Sequence, residues 1–416
     1  MVTVTQYSKK DQAFVLPNLI HGREVILPPS QIRWLLQQPD NLLSQHEVNR
    51  LIISADTTLL HKNITQEGNV IHRQVIQREM TRGQDSYTND MIEEIEKALG
   101  RNWGYNTQGW QEVKVFDTMI DLISRVVCRV LVGLPLCRDE EYLRSARSFG
   151  RNVVLISYFE NLLIPLLRPL LMPLAMSYDV FHYRRITKFI SPIIKERITA
   201  FQKGEVYKKP DKSEPNDYVQ WALHYAFANN DPLERTPELI MKRLAALGFA
   251  ATHSPAVIIS NVLFDIMSSP SAKYLQQVIR DEVYEVRSRD PGKEWTKASL
   301  NQMTRIDSMI RESLRLNAFS ARSISKKVMA PQGIDLPSGA HLPYGVMVGI
   351  TASGTHYDNS IYPNADTYEP FRFSDSLNIA EADKSYGKID TVPKKPSPMV
   401  STSDDFLAFS HGSHAW

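Results

Sequence analysis

Three groups of residues in this 416-residue chain have types and spacings that could do chemistry. The first is Glu312-Ser-Leu-Arg315, in which a carboxylate and a guanidinium three residues apart share one helix face. Arg372 stands further on, between Phe371 and Phe373. A guanidinium held among aromatic rings needs carboxylate or carbonyl partners, and its planar fork suits a carboxylate best, so Glu312 is a candidate partner. On residue types alone, a solvated ion pair at 312 and 315 and a surface arginine in a turn at 372 are the plainer readings. The second group is Ala250-Ala-Thr-His253-Ser254-Pro255, inside a long apolar stretch. A hydroxyl beside an imidazole can pass protons, although a serine hydroxyl bonded back to its own helix is the plainer reading. The third is the run Phe406-Leu-Ala-Phe409-Ser-His411-Gly412-Ser-His414-Ala-Trp416, a glycine-bearing loop with two imidazoles that could in principle bind a metal ion.

Helices must position most of these groups. Val115, Met119, Leu122, Ile123, Val126 and Val130 form one apolar stripe and predict a helix over 112–131. Residues 185–201 read as a second amphipathic helix. Thr236-Pro237-Glu238 is a helix start: a capping hydroxyl, proline at the first helical position, then an acid. The helix it opens is expected to run to about Met267, apolar on nearly all sides, as in a helix buried at the centre of a large domain. Leu300, Met303, Ile306, Ile310 and Leu314 predict one helix over 296–316, which carries Glu312 and Arg315. Beyond it the pattern alternates. Residues 322–329 and 346–350 read as short strands, with turns at Pro331-Gln-Gly333 and Pro337-Ser-Gly339. The expected fold is mainly α with a small β part. It is read as a single domain over 1–416, helical over about 30–317, with strands, meander and loop over about 318–416.

Composition narrows the function. With 43% hydrophobic and 23% charged residues and a net charge of +2, there is no basic excess to suit a nucleic acid. Two cysteines, Cys128 and Cys137, lie in apolar sequence and fit a reducing compartment without a disulfide framework. Both read as small buried hydrophobes, in no metal-binding spacing. Residues 1–12 are polar and carry no signal-peptide core. Residues 152–176 hold Leu162-Leu-Ile-Pro-Leu-Leu167 and Leu170-Leu171, interrupted by Glu160, Arg168, Pro165, Pro169 and Pro173. This reads as a broken hydrophobic segment at a membrane surface, or as a buried helix-loop-helix.

The order of the pieces says more than any one of them. The His253-Ser254 segment comes first, then Glu312-x-x-Arg315, His356-Tyr-Asp358 with Tyr362-Pro363, Phe371-Arg372-Phe373, and Phe409-x-x-Gly412-x-His414. In that order and spacing the chain resembles a cytochrome P-450, most closely the fungal membrane-associated type of secondary metabolism, over nearly its whole length. The resemblance implies the cytochrome P-450 fold, a haem cofactor, and oxidation of a small lipophilic substrate with O2 and electrons from NADPH-cytochrome P-450 reductase. It implies that Glu312, Arg315 and Arg372 form an ion-pair triad under the haem-ligand loop. Ser254 and His253 would serve the oxygen-activating segment, with Ala251, His253 and Ser254 in place of the family's Gly, acid and Thr. Pro255 would reinforce the local kink there. His414 and Arg322 would contact haem propionates, and Phe409 and Gly412 would shape the loop. His72 and Arg78 fall where the family's propionate-binding helix belongs, but its Trp-x-x-x-Arg is absent.

Two departures stand out. Trp416 occupies the position of the family's ligating cysteine, so no metal ligand is expected from this chain. A thiolate pushes electron density onto the iron for oxygen–oxygen cleavage, and tryptophan has no lone pair to replace it. The family's membrane anchor, which holds members on the cytoplasmic side of the endoplasmic reticulum, is also not seen at the start. The expectation is a monooxygenase family member whose exact chain is inactive. The alternative is a decayed, non-catalytic relative or a truncated gene product.

Overall fold

Strands open the chain, where sequence patterning predicts them only near its end. β1 (Phe14–Asn18) and β2 (Gly22–Ile26) pair antiparallel, with Phe14 opposite Ile26. The computed structural model describes all residues except 1–6, 8–9, 19–21, 61–70, 107, 205–213, 290–291, 293, 375–396, 413–414 and 416. After β2 come α1 (Ile32–Gln37), β3 (Leu43–Ser44), α2 (Gln45–Ile52), α3 (Ala55–Thr58) and α4 (Ile71–Val75), which runs on into a π-helical turn. Five longer helices follow: α5 (Thr88–Trp103), α6 (Val115–Val132), α7 (Glu140–Leu162), α8 (Arg168–Gln202) and α9 (Tyr218–Ala228). Then come α10 (Pro237–Ser268), α11 (Ala272–Arg289), α12 (Lys297–Leu300) and α13 (Thr304–Leu316). The chain closes with β4 (Arg322–Val328), β5 (Ile334–Asp335), β6 (His341–Leu342), β7 (Met347–Thr351), α14 (Ala352–His356) and irregular chain.

The chain divides into two compact units. The first comprises Met1–Asn49, Ile258–Lys293 and Ala298–Trp416. Its sheet has the order β1-β2-β7-β4-β3, so strands from the two ends of the chain lie side by side. β2 and β7 run parallel, and β7 and β4 antiparallel. Leu35, Leu43, Ile324, Val328, Val348, Ile350 and Leu407 pack into one fully buried cluster on this sheet. Each such aliphatic side chain contributes roughly 1.5–3 kcal/mol by leaving water. β5 and β6 form a hairpin entered through Gly333, whose φ of +81° favours glycine.

The second unit is Arg50–Val257 with Glu294–Lys297. It is helical, and its core joins Val130, Leu143, Phe149, Val153, Ile190, Ile194, Leu223 and Leu244 from α6 to α10. The stripe on 112–131 appears as α6. Cys128 and Cys137 are buried within this core, as expected of small hydrophobes.

Three elements differ from their sequence patterns. The helix expected over 296–316 is two helices, α12 and α13, separated by a turn at 301–303. α10 starts at Pro237 as the cap signal predicts and is long and apolar enough to cross a membrane, by length and composition only. Its most apolar window is only 22% buried, however, so it is not enclosed on all sides. Ala245, Ala246, Gly248 and Ala251 are partly exposed and Ala250 is exposed. α8 continues through Pro173 and Pro192 for 35 residues. Residues 152–176 therefore form the end of α7, a 3₁₀ turn at Pro165–Leu167 and the start of α8. Ile156, Met172 and Met176 face inward there, while Leu162, Ile164, Leu166, Leu170 and Leu174 are exposed.

Candidate functional site

α13 supplies the centre of the site in the first unit. A buried carboxylate on α11 sets its start: both oxygens of Glu282 accept helix N–H groups, from Arg305 and Ile306, each at 2.8 Å. An anion there satisfies orphan donors and suits the positive end of the helix dipole. α13 is buried around most of its circumference: Ser308, Met309, Arg311, Glu312, Ser313, Leu314 and Arg315 are all buried.

Glu312 and Arg315 are entirely removed from solvent. Arg315 grips Glu312 with two hydrogen bonds, Nε to Oε2 and Nη2 to Oε1, both 2.8 Å. Its remaining donors go to the carbonyls of His356 (2.5 Å), Ala365 (2.6 Å) and Thr367 (3.2 Å). Glu312 Oε1 also accepts from the Glu369 N–H and from Arg372 Nε, each at 3.0 Å. Arg372 further donates to the Pro363 carbonyl at 2.7 Å and pairs with Glu369. The structure thus brings Glu312, Arg315 and Arg372 together. The aromatic neighbours of Arg372 carry it inward, against the surface turn that its residue type alone suggests. Desolvating three charges is costly unless each is fully partnered, and here the carboxylate and the forks are.

Two further residues hold the chain segment that leads to the 406–416 loop, and sequence reasoning gave neither a role. His356 is fully buried. Its Nε2 accepts the Leu407 N–H at 2.8 Å, so the proton sits on Nδ1, which donates to the Arg315 carbonyl at 3.0 Å. Burial lowers its pKa to about 3, and the nearby Arg315 and Arg311 add to the effect. The ring is a neutral clamp between α13 and the loop. Arg311 lies over the Phe406 ring at 3.7 Å from its centroid and near Phe373 at 4.8 Å. It donates to the carbonyls of Pro398 (2.5 Å) and Ser401 (2.7 Å), and burial lowers its pKa to about 10. The available sign was its position beside Glu312, on the inner face. Tyr362 and Ser323 complete the seat, donating to the Asp405 carbonyl (2.8 Å) and the Leu407 carbonyl (2.7 Å).

In the loop, Gly412 has φ +85°, and a side chain there would meet Leu36. Phe409 packs with Leu314, Phe406 and Ala408. His411 is engaged with Thr402 (2.8 Å) and Asp404 (3.5 Å). His414 and Trp416 lie outside the described residues. Arg322, at the start of β4, donates to the fully buried Glu24 of β2.

The His253–Ser254 segment lies on α10 in the second unit. Ser254 Oγ donates to the Ala250 carbonyl at 3.1 Å, bonding back to its own helix. His253 Nδ1 is 3.4 Å from the Phe249 carbonyl, and burial lowers its pKa. The ring packs against Gly150 of α7 so closely that a Cβ there would stand 2.6 Å from Cε1. Pro255 continues the helix without an N–H, leaving the Ala251 carbonyl no partner one turn on. In the same unit, His72 is held neutral, its pKa lowered to about 4 by burial and then by Arg243 and Arg73. Arg78 lies over the Tyr225 ring.

A mainly helical fold, a buried Glu–Arg–Arg cluster and a clamped loop with a glycine at its turn are the features of one family. Residues 59–415 match the profile of that family, cytochrome P-450. The chain is 28% identical to cytochrome P-450 monooxygenase pbrC of Penicillium brasilianum, over 99% of this chain and 75% of that protein. It is 30% identical to cytochrome P-450 monooxygenase lnaC of Aspergillus flavus, over 98% of this chain and 75% of that protein. Cytochrome P-450 monooxygenase 103 of Postia placenta is 29% identical over 98% of this chain and 75% of its own length. The chain therefore belongs to the cytochrome P-450 family, which makes it a member of a family of haem-dependent oxidoreductases.

Among the described residues, neither cysteine fits haem-thiolate ligation. The position that the family resemblance gives the ligand falls on Trp416, outside the described residues. Burial raises the thiol of Cys128 to about 12 and that of Cys137 to about 11, so both are protonated and sit in the helical core. Among the described residues no group of three or more His, Cys, Asp or Glu side chains could hold a metal ion.

Proposed function

We propose that the protein is built as a haem-thiolate monooxygenase for a lipophilic secondary metabolite, drawing electrons from a reductase, and that this polypeptide does not itself activate oxygen. One observation carries the reading. The Glu312–Arg315–Arg372 cluster and the His356 clamp are complete, whereas Trp416 stands at the position that needs a thiolate. The chain keeps the device that seats the loop and lacks the atom the loop exists to present. Ser254 and His253 are the proposed proton-handling pair on α10. Ser254 would have to turn its hydroxyl away from the Ala250 carbonyl to take that role. Arg322, Phe409, Gly412 and His414 are the proposed haem-facing residues.

The exposed residues Leu162, Ile164, Leu166, Leu170 and Leu174 support a membrane-surface contact at the α7–α8 turn. They agree with a site on the cytoplasmic face of the endoplasmic reticulum and with an apolar substrate. A patch of this size on a soluble surface marks an interaction site.

The second reading, a non-catalytic relative, is favoured by Trp416 alone. Haem titration of the purified chain, followed by its carbon-monoxide difference spectrum and by product formation with a reductase, separates the readings. A chain that takes up no haem is the non-catalytic relative. Haem uptake without a thiolate-type band is the result expected here, and a thiolate-type band with turnover overturns the proposal.

A further inference from the structure

The α7–α8 hairpin contains a buried acid that nothing else in the site uses. Asp179, on α8, is wholly removed from solvent, and neither carboxylate oxygen has a partner in hydrogen-bond geometry. One turn on, His182 is buried with neither ring nitrogen partnered. An ionised carboxylate in such a place costs several kcal/mol, and proteins meet that cost by protonating the group. Asn152 on α7, itself buried, is the polar side chain that acts on Asp179 across the helix pair.

We infer that Asp179 is a proton-operated latch on the α7–α8 hairpin: closed when its carboxyl is neutral and tolerates burial, loosened when the proton leaves and the carboxylate draws in solvent. Burial raises the pKa of Asp179 to about 6, opposed only by Asn152. The latch would therefore switch on the acid side of neutrality, between about 3.8 and 6. His182 is poorly placed to balance the charge, since burial lowers its pKa, as do Arg185 on α8 and Arg151 on α7. Several other charged groups on the packed elements are engaged elsewhere. Arg185 pairs with Glu141, Thr57 on α3 donates to Glu160, and Asp56 is held by Arg50. Glu238 and His253 on α10 face Tyr183 and Gly150.

The sign follows from linkage. Asp179 loses its proton near 3.8 in an open hairpin and near 6 in the closed one. The closed form therefore binds more protons between those values. Closure is fully favoured below about 3.8, weakens as pH rises through 6, and is constant above it. A shift of about two units corresponds to up to roughly 100-fold in the closed-to-open ratio.

Hydrogen–deuterium exchange of the full 416-residue chain at pH 5 and pH 8, corrected for intrinsic exchange, tests this. The expected result is a loss of protection in α7 and α8 of roughly 10-fold from pH 5 to pH 8, the part of the linkage that lies between those values, with α11 unchanged as an internal reference. Asp179→Asn, which mimics the protonated acid, is expected to stay protected at both values. Equal protection at both pH values in the unsubstituted chain overturns the latch without need of a variant. So does a loss spread over α11 as well, or an Asp179→Asn chain that keeps the full pH dependence.

Discussion

Arg372 Nε donates to Glu312 Oε1 at 3.0 Å, across 60 residues of chain. The bond fixes the coil after β7 to the inner face of α13. It also gives Glu312 the last of its partners.

Arg372→Ala removes one partner of a buried carboxylate and is expected to destabilise the protein by about 3 kcal/mol or more. Arg372→Lys is expected to recover little, because a point charge cannot reach Glu312, Glu369 and the Pro363 carbonyl together. Urea unfolding of the two variants checks both statements. Equal stability of Arg372→Ala and the parent would show that the cluster does not hold the fold.

His356 predicts an acid limb in stability. Its pKa is about 3 when folded and 6.5 in the open chain. The folded form binds fewer protons between those values, so stability is full above about 6.5 and falls as pH drops toward 3. The slope from this one group is at most about 1.4 kcal/mol per pH unit. His356→Gln should lower stability at neutral pH and flatten that limb, as read from denaturant midpoints between pH 4 and 7.

Arg311→Ala removes the contact with Phe406 and the donors to Pro398 and Ser401. A loss of about 2–4 kcal/mol is expected, with amide protection lost first in 398–410. Arg311→Lys should restore part of the stability and little of the local protection. A uniform loss of protection over the whole first unit would speak against a clamp specific to this segment.

Two substitutions contrast the α10 segment. Ser254→Ala removes a hydroxyl that bonds only to its own helix, so stability should move by no more than about 0.5 kcal/mol. Gly150→Ala places a methyl 2.6 Å from the His253 ring and should cost about 1–3 kcal/mol. Thermal unfolding of the pair gives the comparison directly.

The Glu–Arg–Arg cluster was legible only through the family resemblance, which rests on the order of several motifs; by residue type and spacing alone, Arg372 read as a surface arginine. The α6 stripe and the start of α10 at Pro237 were legible directly, because spacing and order are linear features. β1 and β2 were not, since β2 pairs with β7, more than 300 residues away, and β1 joins the sheet only through β2. The break between α12 and α13 was hidden because their apolar stripe continues across it, while the cap on α13 comes from Glu282 on another helix. His356 and Arg311 gave little sign either, because the partners that define them are main-chain groups. A carbonyl or an amide leaves no trace in residue identity. Pro173 misled in the opposite direction, since packing carries α8 through it, whereas Pro192 lies within the helix expected over 185–201.

The proposed absence of a thiolate from this loop has one direct test, the carbon-monoxide difference spectrum of the purified, haem-supplied chain. No band of the thiolate type is expected, whatever amount of haem is taken up. A clear thiolate-type band from the chain carrying Trp416 would contradict it.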